Sequence, residues 1–84
     1  MLKEILLDCT MLESPEPLNL VIQNLGNISK TTYIKMIHRM QPMMLFNILD
    51  QNGFKYITME ENNQVEIYIF KEEFYEEQKR CIQD

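Results

Sequence analysis

At 84 residues, 45% hydrophobic and 25% charged, the chain has the composition of one ordinary folded domain and no room for a second. Thirteen acidic residues against eight basic give a formal charge of −5 with no Lys/Arg cluster, a field that repels phosphate backbones and speaks against nucleic-acid binding. No stretch approaches the ~20 apolar residues of a membrane span, and MLKEILLDC is interrupted by Lys3, Glu4 and Asp8 too early for a signal-peptide core, so the expectation is a cytoplasmic chain without a membrane partner.

In chain order, residues 3 to 9 (KEILLDC) place Ile5, Leu7 and Cys9 at period two, which predicts a half-buried strand with Leu6 covered as well. The period then changes. From Leu18, apolar residues recur at Val21, Ile22, Leu25 and Ile28, one helix face, ended by Gly26 and Asn27. Ser14 suits the N-cap of that helix and Pro15 its first position, with Pro17 still in the first turn, where a missing N–H removes no intrahelical bond.

Residues 31 to 38 (TTYIKMIH) are β-branched and aromatic, a second strand with Ile34, Met36 and His38 on one side and Tyr33, Lys35 and Ile37 on the other. Pro42 opens a second helix at its first turn, Leu45, Ile48 and Leu49 face inward, and Gly53 stops it. Strands over 54 to 59 and 64 to 70 follow, joined by the polar tip Glu60-Glu61-Asn62-Asn63. Residues 1 to 70 thus form one βαβαββ domain, a two-layer α/β sandwich with a four-stranded mixed sheet and both helices on one face. Residues 71 to 84 are a charged tail with the makings of a short helix.

The residues Leu7-Asp8, Leu12 and Ser14-Pro15-Glu16-Pro17-Leu18, together with the βαβαββ order, resemble the TusA/SirA-like small sulfur carriers, whose motif reads Cys-Pro-x-Pro. The resemblance implies that family's sandwich fold over residues 3 to 70. In such carriers the cysteine receives a persulfide sulfur, and a helix N-terminus can favour its thiolate. Here the position holds Ser14, which cannot carry a persulfide, so the chain is similar to a cysteine-less branch. Met11 stands where the carriers often have glycine, and HRMQP at 38 to 42 replaces their aspartate-rich segment.

Two readings of SPEP follow. Capping alone accounts for every residue type present, whereas a functional reading lets the first-turn N–H groups near Ser14 and Glu16 hold a small anion. His38 and Arg39, with Gln41, emerge at the sheet end that both helix N-termini share, where a histidine can act as acid or base and an arginine can anchor an anion. No nucleophile with an evident base accompanies them, which points away from an enzyme.

Seven methionines are many, and Met36, Met40, Met43 and Met44 surround His38; a soft metal such as Cu(I) would suit them. Met36 and Met44 read instead as core filler, and Cys9 and Cys81 have no metal-ligand spacing, so neither metal nor cofactor is expected. Both thiols are expected to be reduced, Cys9 buried. The sheet face away from the helices carries Tyr33, Ile37, Tyr68 and Phe70 and needs cover, either from the tail through Phe74, Tyr75 and Ile82 or from a protein partner or second copy. The sequence therefore favours a non-catalytic protein-interaction or small-ligand-binding accessory domain. The alternative is a sulfur-relay or anion-handling protein using the Ser14, His38 and Arg39 end.

Overall fold

The computed structural model describes residues 2–83; Met1 and Asp84, at the ends of the expected domain and tail, lie outside the described residues. Four strands, β1 (Lys3–Asp8), β2 (Thr32–His38), β3 (Phe54–Glu61) and β4 (Gln64–Lys71), form one mixed sheet in the order β1-β2-β4-β3. β1 runs parallel to β2, while β2–β4 and β4–β3 are antiparallel. The helices are α1 (Glu16–Asn24), α2 (Met43–Gln51) and α3 (Tyr75–Gln83). The α/β class and the four-stranded mixed sheet agree with the sequence reading.

One core holds the two layers together. Ile34 and Met36 of β2 and Val65, Ile67 and Ile69 of β4 meet Val21 of α1 and Leu45, Phe46 and Leu49 of α2 in a single buried cluster, so both helices lie on one face. Phe46 stacks on Tyr56 of β3 with ring centroids 4.4 Å apart, a contact that the inward set Leu45, Ile48 and Leu49 does not include. Gly53, at φ +79°, ends α2 in the left-handed region where a side chain would be strained. Asn62 and Asn63 supply positive φ to the tight β3–β4 turn, and pairing extends to Glu61 and Gln64, beyond the strand end expected at residue 59.

Three local expectations need correction. Leu6 is exposed, because its pleat position directs it away from the helices on an edge strand. Ile22 is also exposed, one step off the Val21 face. Met44 is 68% exposed and is not core filler, since it lies away from the face of α2 that buries Leu45, Phe46 and Leu49.

The tail supplies part of the expected cover. Phe70 alternates with the inward Ile69 and so belongs to the opposite face, yet it is fully buried: Tyr75 packs edge-on against it at 5.7 Å and Tyr33 lies 5.9 Å away. Gln78 of α3, also buried, donates through Nε2 to the carbonyls of Ser29 (2.8 Å) and Lys30 (2.7 Å), tying the helix to the turn before β2. Leu6, Ile37 and Tyr68 keep exposed or half-exposed positions on the same face. Gln78→Ala should cost about 2 kcal/mol in urea denaturation, the sum expected for two lost hydrogen bonds.

Tyr33 offers a pH test of this second face. Burial pushes its phenol up to about 12, helped by the hydrogen bond it donates to Glu4 Oε1 at 2.8 Å and by that carboxylate's charge. A value raised by folding contributes stability that is fully present below tyrosine's ordinary value of about 10 and is lost as pH rises through the folded value. Stability measured by urea denaturation should therefore fall between pH ~10 and ~12, and Tyr33→Phe should remove that component of the fall.

Candidate functional site

The site grows out of two strand-to-helix junctions. After β1, Cys9 continues the pairing by donating its N–H to the Ile37 carbonyl at 2.8 Å, and Leu12 N–H closes a turn back to Cys9 O. A further turn spans Glu13 to Glu16, closed by Glu16 N–H to Glu13 O at 2.9 Å and containing a cis Ser14–Pro15 peptide. The Pro15 carbonyl then accepts the first helical bond, from Asn19 N–H at 3.1 Å. Pro15, not Ser14, is therefore the N-cap, and Ser14 makes no capping hydrogen bond. The Glu13–Glu16 turn takes up the donor that a serine cap would otherwise help to satisfy.

The second junction follows the same plan. Pro42 is the N-cap of α2, one position earlier than its expected place inside the first turn, because its carbonyl accepts from Phe46 N–H at 3.2 Å. Met43 N–H reaches back to Gln41 O at 3.0 Å.

Between the junctions lies an open cavity of about 250 Å³. Ser14, Pro15, Pro17 and Leu18 form one wall; Met40, Gln41, Pro42, Met43, Met44 and Leu45 form another; His38, at the end of β2, lines it as well. The structure thus brings Ser14, His38 and Gln41 of the sequence-derived set to one place. Glu16 and Arg39 are not among the lining residues. Arg39 donates to the Leu12 carbonyl at 3.3 Å and borders a separate, more polar depression with Glu60, Glu61, Asn62 and Asn63. Gln41 also donates to Glu60 Oε1 at 2.9 Å, so its amide is partly engaged.

Two features of the cavity carry chemistry. First, His38 is only 8% exposed, and its buried Nδ1 has no hydrogen-bond partner among the described residues. Buried polar atoms are nearly always paired, so this nitrogen, closed off from the open cavity, is a cost to the fold. Second, the helix starts leave backbone donors free. In α1, Pro17 has no N–H and those of Glu16 and Asn19 are used, which leaves Leu18; in α2, Met43 and Phe46 are used, which leaves Met44 and Leu45. Leu18, Met44 and Leu45 all line the cavity. The helix starts were legible as proline-marked junctions, but which N–H groups remain free depends on turns that residue types do not specify.

The wall is otherwise apolar and adaptable. Met40, Met43 and Met44 are each more than 60% exposed, and flexible thioethers suit a surface that reshapes around what it binds. Those thioethers with the His38 imidazole are also the donor types that soft metals prefer. No group of three His, Cys, Asp or Glu gathers among the described residues. Neither cysteine takes part: Cys9 is fully buried, with its thiol pushed up by burial and by the charge of Asp8, and Cys81 is exposed on α3.

The sequence matches no protein-family model, and no curated protein or solved structure matches it. Among the described residues no helix is long and apolar enough to cross a membrane.

His38→Leu should be at least as stable as the parent chain in urea denaturation, because it removes an unpaired nitrogen without removing a bond. A loss beyond about 2 kcal/mol would reveal a structural hydrogen bond made by the ring.

Proposed function

We propose that this chain is a non-catalytic, small-ligand-binding accessory domain on a TusA-like scaffold from which the persulfide chemistry has been lost. The observation that carries the binding reading is the open cavity of about 250 Å³ between the two helix starts, where Ser14, His38 and Gln41 come together. The scaffold part rests on Leu7-Asp8, Leu12 and SPEP, together with the βαβαββ order and mixed sheet. Ser14, in the place of the carriers' cysteine, lines the same cavity.

Non-catalytic action fits the cavity's contents. A serine hydroxyl needs a base to act as nucleophile, and Ser14 makes no side-chain hydrogen bond to His38 or to any described residue, while no acid or base other than the imidazole lines the cavity. A cytoplasmic, reducing location is part of this proposal, in keeping with two thiols that are unpaired with each other.

A protein partner, or a second copy of the chain, is the second reading. It is favoured by Leu6, 56% exposed on β1, and Met59, 40% exposed on β3, at the two edges of the face away from α1 and α2.

Intact-mass spectrometry after incubation with a cysteine desulfurase and cysteine tests the loss of carrier chemistry. The chain should gain no sulfur atom. A persulfide on Cys9 or Cys81 would restore the sulfur-relay alternative through a displaced thiol.

A further inference from the structure

We infer that the free edge of β1 docks an extended segment of another protein that carries basic, apolar and basic residues at alternate positions, an inference that rests on the protein-partner reading above and names the partner's chemistry. Parity along β1 shows what the edge offers. Lys3 N–H bonds to the Thr31 carbonyl and Cys9 N–H to the Ile37 carbonyl, and in a parallel ladder every second residue directs both its backbone groups to the same neighbour. The odd-numbered residues therefore serve β2. Glu4, Leu6 and Asp8 turn their N–H and C=O groups outward, on a strand that lies at the end of the sheet order. Among the described residues no element besides β2 has an extended contact with β1, so this row of donors and acceptors is open to an added strand.

The side chains define which strand fits. The same parity puts Ile5 and Leu7 on the helix side, where they pack against the core yet stay half-buried, and Glu4, Leu6 and Asp8 on the far face. A strand centred on Leu6 sets an apolar residue against that side chain, 56% exposed, and two more beside Ile5 and Leu7. Its flanking residues face Glu4 and Asp8. Tyr33 occupies Glu4 Oε1 and Thr10 occupies Asp8 Oδ1, which leaves Oε2 and Oδ2 without a partner among the described residues and open to lysine or arginine. The other edge, β3, is blunted on its helix side by Thr58 and Glu60, both polar and exposed.

A second copy of the chain does not complement this edge. Antiparallel pairing of two β1 strands with matching faces overlaps most when centred on Leu6 or on Ile5. The Leu6 register sets Glu4 against Asp8 of the second copy twice, and the Ile5 register sets Glu4 against Leu6.

NMR titration of the full chain with the palindromic peptide acetyl-Thr-Lys-Val-Ile-Val-Lys-Thr-amide, and with its counterpart carrying glutamate for lysine, tests this, with amide exchange followed throughout. In the free chain the Ile5 and Leu7 amides should exchange slowly and those of Leu6 and Asp8 fast. The basic peptide should protect Leu6 and Asp8 and bind about tenfold more tightly than the acidic one, since two favourable cross-strand charge pairs replace two unfavourable ones. Leu6→Pro removes only an outward N–H, so the chain should fold and lose the peptide. Leu6→Lys, which keeps the backbone donor and opposes the peptide's charge, should weaken binding about fivefold.

Equal affinity for the two peptides would overturn the requirement for basic residues. A response confined to Ile57 and Met59 on the open face would overturn the edge inference while leaving the protein-partner reading standing, and no response at either place would overturn both. Protection of Leu6 that grows with the concentration of the free chain would assign the edge to a second copy and overturn the inference.

Discussion

The parallel pairing of β1 with β2 is the constraint on which the site depends. Two parallel neighbours cannot be joined by a hairpin, so the chain must leave the end of β1, cross the sheet as α1 and return to start β2 at the far end. The same logic applies to β2 and β3, which run in the same direction because each is antiparallel to β4 between them. Both crossovers therefore begin at the same end of the sheet. That end is where β2 terminates at His38, so the imidazole and two helix starts come together through topology and need no long-range contact of their own.

Prolines then decide what those starts offer. Pro15 and Pro42 serve as N-caps, a position more often filled by a side chain that accepts from the first turn. Neither helix has a side-chain cap, and backbone turns use up only some of the first N–H groups. Restoring a capping side chain would be expected to add on the order of 1 kcal/mol to the fold. The donors left open, together with an unpaired buried imidazole, are the kind of local cost that binding sites commonly carry. The stability lost there is offset by a continuous, mostly aliphatic core and by α3, whose Tyr75 packs against Phe70 on the opposite face.

Much of the fold was legible because its periods are clean: alternation through Thr32–His38, helical spacing from Leu18, and Gly53 at a helix stop. The failures occur where two physical choices share one sequence pattern. Ser-Pro-Glu-Pro allows the cap at Ser14 or at Pro15, and the hydrogen-bonded turn from Glu13 to Glu16 selects the latter. Met44 lies four residues before Ile48 and so shares its helical phase, but the face that α2 buries is the one carrying Leu45, Phe46 and Leu49, on which neither is centred. Gln78 lies within the charged tail, where no periodicity marks it as buried, and its burial goes with two carbonyls nearly fifty residues away. Within the candidate site, Ser14, His38 and Gln41 could be placed together from topology, whereas the exclusion of Glu16 and Arg39 from the cavity lining turns on which way each junction faces.

The central claim is that His38 lines the cavity while its Nδ1 makes no hydrogen bond to the described residues, so that the ring is not a structural tie between the two junctions. It is tested most directly by long-range ¹H–¹⁵N NMR of the His38 ring in the unliganded chain, including couplings across hydrogen bonds. The account predicts no coupling from Nδ1 to any backbone carbonyl and a ring-nitrogen signal that moves when a ligand fills the cavity. A coupling from Nδ1 to a backbone carbonyl would contradict it, making His38 a structural residue and the cavity an incidental gap between two helix starts.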